Sequence, residues 1–148
     1  MAFLCISDVY ACVHKTLRED EVIRGLMGFD NSTTDLEMEL RIQKRKKPVN
    51  LVSENLPLIT FYKAPGQRET NHLVYVTEFY FNIYTGNNVE VAIDIADRIN
   101  ELFDDKYLNL SKGSNFKGQF ITSAEDATDL ENTYKYFTKL KFSFELEG

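Results

Sequence analysis

The chain has 148 residues, 43% of them hydrophobic and 27% charged, and this balance excludes a disordered or low-complexity protein. Its length fits one domain that buries a core without disulfides or metal. The net charge of −6 argues against a protein that holds nucleic acid by broad phosphate neutralisation, because that mode of binding needs a basic face.

Two features bear on the compartment in which the chain folds. The first six residues are apolar but lack a basic leader, and the stretch is too short for a signal-peptide core or a membrane span. Cys5 and Cys12 lie seven residues apart, about 10 Å along a helix, which is too far for a mutual disulfide. We therefore expect a reducing, intracellular setting with neither export nor membrane insertion.

Two helices are predicted at the start of the chain. The first has Ser7 as its N-cap, carries apolar residues at helical spacing and ends near Arg18. Asp20 and Glu21 start a second, short helix, which Gly28 is well placed to terminate.

The segment 30–55 predicts a strand followed by a long loop. Apolar and charged residues alternate in its first part, as they do in a strand with one buried face. The apolar positions are Leu36, Met38, Leu40 and Ile42. A basic run that ends in Pro48 then breaks the strand.

Four further strands are predicted, over 56–62, 73–85, 116–122 and 133–147. The second carries aromatic residues on both faces, so we expect both faces to be at least partly covered. The last alternates apolar with polar residues, which predicts one buried and one solvated face. The segment 123–132 before it is predicted to be an acidic loop. It contains Glu125, Asp126, Asp129 and Glu131 and no basic residue that could pair with them.

Between the second and third of these strands, the segment 89–103 is the clearest amphipathic helix of the chain. Its apolar residues recur at intervals of three and four positions. Its outer face carries the charged residues Glu90, Asp94, Asp97, Arg98 and Glu101. The order of helices and strands predicts an α+β fold, with an antiparallel or mixed β-sheet and helices packed on one face, in a single domain over 1–148.

The sequence offers no recognisable catalytic, cofactor or metal site. His14 and His72 are its only histidines, and neither belongs to a known acid, base or ligand pattern. The paired acids Asp104 and Asp105 lie in a polar segment with nothing apolar to raise a pKa. We therefore expect no catalytic residues, no metal and no cofactor, and interpret the protein as something other than an enzyme.

A basic cluster, composed of Arg41, Lys44, Arg45, Lys46 and Lys47, is the sharpest local charge feature. Five bases within seven residues of an acidic protein create a distinct positive potential. Three interpretations stay open: a solvated loop, a docking site for an acidic neighbouring protein, and a contact with nucleic acid. The cluster is the candidate protein-interface site of the chain.

The order of elements resembles a known family. A Leu-Pro-x-Ile-x-Phe strand at 56–61 precedes a strand that ends in Phe81-Asn82-Ile83-Tyr84, then a polar turn and a helix that ends in Leu102-Phe103. This pattern is similar to that of the tail-terminator and tail-completion (head-tail joining) proteins of tailed bacteriophages. The resemblance covers about 9–103 and the closing hairpin, whereas the basic stretch 38–48 and the segment 111–132 depart from the family.

The resemblance implies a structural virion protein, assembled in the host cytoplasm and located in the tail or neck. Family members form a homo-oligomeric ring, usually a hexamer, that caps the tail tube protein and faces the head-tail connector proteins. DNA passes through such a ring without specific binding, and an acidic wall suits that passage. The alternatives are another phage neck or minor tail protein, a small cytoplasmic enzyme or ligand-binding domain, and an adaptor that binds through a strand edge.

Overall fold

Three helices precede the main strands. The computed structural model describes residues 5–51, 53–70, 73–110, 115–128 and 131–145. Helix α1 spans Ile6–Glu19, α2 spans Glu21–Met27 and α3 spans Asp35–Arg41. None of the described helices has the length and apolar composition needed to cross a membrane.

The two predicted N-terminal helices are confirmed, with one change at their caps. The N-cap of α1 is Cys5, which makes no side-chain capping bond, so the predicted N-cap at Ser7 is wrong. Asp20 and Glu21 start α2 as predicted, and Asp20 is its N-cap, because its carboxylate accepts a hydrogen bond from the Ile23 N–H. Gly28 ends α2 with a left-handed φ of 77°, a conformation that costs glycine nothing.

The strand predicted across Leu36, Met38, Leu40 and Ile42 is wrong for most of its length, because the first three of these residues lie in α3. Thr34 caps this helix by accepting a hydrogen bond from the Glu37 N–H at 3.2 Å. Met38 is buried, whereas Leu36 is 77% exposed. A two-residue strand, β1, follows at Ile42–Gln43.

The described residues form a seven-stranded mixed sheet. After β1 come β2 (Leu58–Lys63), β3 (Gln67–Arg68), β4 (Val74–Thr85), β5 (Lys106–Asn109), β6 (Asn115–Asp126) and β7 (Tyr134–Glu145), with helix α4 (Val89–Phe103) between β4 and β5. The strand order is β1-β2-β4-β7-β6-β5, with β3 also paired to β4. The β1–β2 pair is parallel and the other pairs are antiparallel. The predicted α+β class with a mixed sheet is confirmed.

The helices pack on one face of the sheet, here called the inner face. Alternate residues of the central strands point to it, and their aromatic rings form the core together with α4. Phe81 stacks on Phe103 at 5.7 Å between ring centroids, and Phe79 lies 4.8 Å from Phe142. At the edge of this core Gly118 allows β6 to approach α4, since a Cβ at that position would lie 2.3 Å from the Phe103 carbonyl oxygen.

The opposite face, here called the outer face, is also covered at one end. Leu58 and Thr60 of β2 are fully buried there, and Asn82 and Tyr84 of β4 are each 5% exposed. The expectation that both faces of β4 are partly covered is therefore confirmed.

The C-terminal half departs from the predictions in two ways. Strand β5 was not predicted, since it has only four residues, three of them exposed, and shows no alternation. Strand β6 continues to Asp126, beyond the predicted end at Thr122, with an irregularity in its pairing between Phe120 and Thr122. The acidic loop predicted from Ser123 is therefore wrong over 123–126, and Lys135 opposes Asp126 at 2.8 Å. Asp129 lies outside the described residues.

Candidate interaction surface

His14 is part of the core of the protein. It is 2% exposed on α1, and its Nε2 donates a hydrogen bond to the Ile42 carbonyl oxygen at 3.0 Å. Its Nδ1 lies 3.4 Å from the Arg18 guanidinium and accepts from it. Burial first, and then the positive charge of Lys44, lower the pKa of His14, so the ring is held neutral. His72 lies outside the described residues, and among those described no three His, Cys, Asp or Glu side chains form a metal-binding group.

The structure divides the predicted basic cluster into three parts. Arg41 lies half-buried at the end of α3, where it donates hydrogen bonds to the carbonyl oxygens of Met27 and Pro57 and packs against the ring of Phe29. These contacts hold α2, α3 and the start of β2 together. The Arg41 guanidinium therefore binds within its own chain.

The other four bases are exposed and lie in the loop that follows β1. Lys44 and Arg45 line a shallow depression beside His14 and Glu39. Lys46 and Lys47 face the other way, toward the outer face of the sheet. Neighbouring residues of one loop thus serve two different surfaces.

Lys46 and Lys47 form one wall of a concave region on the outer face. We call this region the outer groove and define it by Lys46, Lys47, Tyr62, Tyr80, Tyr84 and Lys135. It has a volume of about 560 Å³, and Asp126 at the end of β6 closes its far side. Curling of the sheet brings the loop after β1 and the end of β6 to the same groove.

The groove floor is built from tyrosines with lysines above them. Tyr62 and Tyr80 are opposite one another on β2 and β4, and their rings stack at 5.2 Å with 11° between their planes. The ammonium groups of three lysines lie over tyrosine rings at 5.4 to 5.7 Å: Lys46 over Tyr62, Lys139 over Tyr80 and Lys135 over Tyr84. Such cation–π contacts keep the lysines extended across the face instead of free in solvent.

Two of these lysines also have carboxylate partners. Lys139 pairs with Glu78 at 3.2 Å, and Lys135 with Asp126 at 2.8 Å. The hydrogen bond to Glu78 raises the pKa of Lys139. Burial alone would lower the pKa of Lys135, but its bonds to Asp126 and Tyr84 outweigh that effect and raise it. Both ammonium groups therefore stay charged at neutral pH.

Lys46 and Lys47, by contrast, have no carboxylate within ion-pair distance in the part of the chain that the structure describes. The groove thus combines an aromatic floor with two exposed positive charges that are available to a partner. Its chemistry suits a partner with carboxylates and some apolar surface. Among the described residues, the titratable groups of the groove are lysines, tyrosines and one aspartate that is paired with Lys135.

The sequence identified the basic side of this surface but not its tyrosine floor. The alternation of β4 placed Tyr80 and Tyr84 on one face, and the alternation of β7 placed Lys135 and Lys139 on the solvated side. The pairing of β4 with β7 was the missing information, since it sets each lysine over a tyrosine. The position of Lys46 in its loop depends on the parallel β1–β2 pair, which no local sequence pattern predicts.

Comparison with known proteins gives one informative result. No protein-family model matches the sequence, and no curated protein matches it. Among solved structures, a chain of the virion of a native gene transfer agent particle has a similar fold, with a TM-score of 0.66 and 16% sequence identity. The match covers 99% of this chain and 100% of that one. At this identity the comparison establishes a shared fold over the whole chain.

Proposed function

We infer that the protein is a structural subunit of a tailed phage or a phage-like particle. The observation that carries this proposal is the full-length fold shared with a virion chain of a gene transfer agent, in which neither chain has a domain without a counterpart. The order of strand, strand and amphipathic helix that resembles tail-terminator proteins is present as β2, β4 and α4. Two independent lines, one of sequence pattern and one of fold, thus favour the same class.

Within that class we propose the role of tail terminator: a homo-oligomeric ring, with six copies as the expected number, that caps the tail tube and meets the head-tail connector. A two-layer unit with helices on one face and a concave, charged groove on the other suits a ring, since each copy presents two different faces to its neighbours. The acidic balance of the chain suits a lumen through which DNA moves without being held. Such a role requires no catalytic residue.

The basic cluster has a specific place in this proposal. Arg41 stabilises the protomer, while Lys44, Arg45, Lys46 and Lys47 are exposed and available for docking to an acidic surface of a neighbouring subunit or neck protein. Changing these four exposed residues together to Glu should alter thermal melting little, because surface charges away from caps and cores contribute little to stability. The variant should join its partners slowly, since surface charges act on the association rate.

Native mass spectrometry and tail assembly test the proposed role. Six copies of the 17.2 kDa chain give a particle of roughly 103 kDa, either alone or after addition of tail tubes. Tubes capped with the protein should stop growing and should accept heads. A chain that stays monomeric in both conditions, or that leaves tube length unchanged, would refute the role of tail terminator.

One observation favours an adaptor as a second candidate. Strand β5 pairs with β6 only over Asn115–Gly118 as described, which leaves the exposed outer edge of β6 from Gln119 to Asp126 without a neighbouring strand among the described residues. An edge of this length can accept a partner strand. A stable monomer that captures an extended peptide along this edge would favour the adaptor over the ring.

A further inference from the structure

Helix α4 carries a stripe of acidic side chains on the side that faces away from the sheet. We call Glu90, Asp94, Asp97 and Glu101 the acidic stripe; they recur at four, three and four residues, and all are exposed. This spacing places them along one line of the helix surface, about 16 Å long. Arg98 lies beside the stripe but is shared between Asp20 at 2.7 Å and Glu101 at 3.0 Å.

The acidic stripe and the outer groove lie on opposite sides of the protein. The buried side of α4, with Ala92, Ile95 and Ile99, packs on the inner face of the sheet, and the groove is on the outer face. The two surfaces cannot reach one another within a protomer. Glu90, Asp94 and Asp97, like Lys46 and Lys47, have no ion-pair partner within the described residues.

The two surfaces match in length as well as in charge. Three lysines of β7, Lys135, Lys139 and Lys141, extend over about 20 Å of the outer face, since a strand rises about 3.3 Å per residue, and Lys135 belongs to the groove. Lys46 and Lys47 add positive charge along the wall of the groove. A helix with an acidic line about 16 Å long therefore fits along this face, where Lys46 and Lys47 supply the unpaired positive charge beside a floor of tyrosine rings.

We propose that the outer groove binds the acidic stripe of helix α4 of a second copy of this chain, and that this head-to-tail contact is the repeated interface of the ring. The inference rests on the proposed ring and identifies the surfaces that build it. A contact between two different faces on opposite sides of one protomer repeats from copy to copy, and it closes into a ring when the rotation at each step permits. It also accounts for a basic face within an acidic protein.

Charge reversal on each surface tests the contact. The groove variant carries Lys46→Glu and Lys47→Glu, and the stripe variant carries Asp94→Lys and Asp97→Lys. In either variant alone, like charges face each other at every contact, so we expect self-association to weaken at least 100-fold, a cost of about 2.7 kcal/mol or more. In an equal mixture, and in a chain that carries all four changes, each contact again pairs opposite charges. Ring formation should then return.

Matched controls come from the same chain. Lys15→Glu with Arg68→Glu reverses the same charge at two exposed bases that lie outside the groove and outside the basic cluster. Glu19→Lys with Glu69→Lys reverses two exposed acids that lie off the stripe. Both controls should assemble as the wild type does, and circular dichroism should show that all variants are folded. Raising salt from 0.05 to 0.5 M should weaken the wild-type ring, because exposed charges are then screened within a few ångströms.

The readout is native mass across a concentration series, and it separates this inference from the proposed role. Wild-type rings that are unaffected by either reversal, or single variants that fail without rescue in the mixture, overturn the interface and leave the ring intact as a proposal. Loss of DNA retention or of tube joining in the groove variant, with normal rings, also overturns it and assigns the groove to that other partner. A wild type that never self-associates, with or without tubes, removes both proposals.

Discussion

Replacing Asp20 measures how firmly α2 is held against α4. Asp20 lies between α1 and α2, and its Oδ2 accepts hydrogen bonds from the Ile23 N–H and from Arg98 Nε, both at 3.0 Å. Its Oδ1 accepts from Arg98 Nη2 at 2.7 Å. The Asp20 side chain is 10% exposed. It both caps α2 and forms a two-point ion pair with Arg98 of α4.

The expected loss follows from these three bonds. An N-cap replaced by Ala costs about 1 kcal/mol. The charged pair adds about 1–2 kcal/mol, toward the low end for charge-assisted bonds because Arg98 is 28% exposed and keeps Glu101 as a partner. Asp20→Ala should therefore lower the free energy of unfolding by about 2–3 kcal/mol, and the melting temperature by about 5–10 °C in a domain of this size. Asp20→Asn retains a good cap and should lose about 1–2 kcal/mol.

The pH dependence gives a second, independent signature. Hydrogen bonds from Arg98 lower the pKa of Asp20, and burial opposes them only in part. A carboxyl whose pKa is lower in the folded than in the unfolded state stabilises the fold fully above its unfolded pKa, about 3.9 for Asp. That contribution is lost as the pH falls through the folded value. The difference between wild type and Asp20→Asn should therefore be constant above about pH 5 and shrink in more acidic solution.

Urea unfolding followed by circular dichroism at several pH values measures both quantities, and it suits a chain without Trp. Glu101→Gln is the matched control, because it removes one negative charge and the other partner of Arg98. Glu101 is 68% exposed, so its loss should cost less than about 0.5 kcal/mol. If Asp20→Asn equals wild type at pH 7, or if the difference persists unchanged to pH 3, the carboxylate does not hold α2 to α4.

Three substitutions test other parts of the fold. Gly118→Ala should lower the free energy of unfolding by about 2 kcal/mol or more, since its Cβ would clash with the Phe103 carbonyl oxygen. Gly25→Ala lies on open helix surface and should raise the free energy of unfolding by about 0.5–1 kcal/mol. Thermal melting distinguishes the loss from the gain. His14→Gln should lose about 1–2 kcal/mol through the bond to Ile42 while assembly stays normal. Because burial lowers the pKa of His14, wild-type stability should fall as the pH drops below about 6.5, and this component should be absent from the Gln variant in urea titrations at pH 5 and 7.

The sequence predicted best those elements whose signal is both long and local. Helix α4 and strand β7 each carry an uninterrupted periodic pattern, and their observed bounds lie within a few residues of the predicted ones. The bounds of α2 were equally predictable, because Asp20 and Gly28 are residue types that helix caps favour. Each of these cases depends on chemistry within a few positions of the chain.

The error at α3 shows where a periodic pattern misleads. The apolar residues from Leu36 to Ile42 fall at every second position, which suits a strand, yet a helix of seven residues needs to bury only one of them. The capping signal was present in the sequence, with Thr34 followed three residues later by Glu37 and a base at Arg41 in the last turn. In so short a segment the caps, not the alternation, decide the structure.

Only the basic part of the candidate interaction surface could be predicted from the sequence, and the reason differs from the one at α3. A cluster of bases can be read directly from the sequence, but the outer groove exists because β2, β4 and β7 are neighbours in the sheet. Tyr62 and Tyr80 are 18 positions apart in the chain, and Lys139 comes a further 59 positions later. Their stacking depends on long-range pairing, which local propensity does not encode.

Unpaired charges of opposite sign lie on the two sides of the sheet, with lysines at the outer groove and acids on α4. In a protein with a net charge of −6, two lysines without carboxylate partners among the described residues, beside tyrosine rings, favour an acidic partner at the groove. Within the chain the nearest pairing was already used, since Asp126 and Glu78 neutralise Lys135 and Lys139. The acids that remain unpaired in α4 lie behind the sheet, where only another molecule can bring them to a groove. The unpaired lysines of the groove and the unpaired acids of α4 thus lie on opposite faces of one protomer, which is the arrangement that the proposed head-to-tail contact uses.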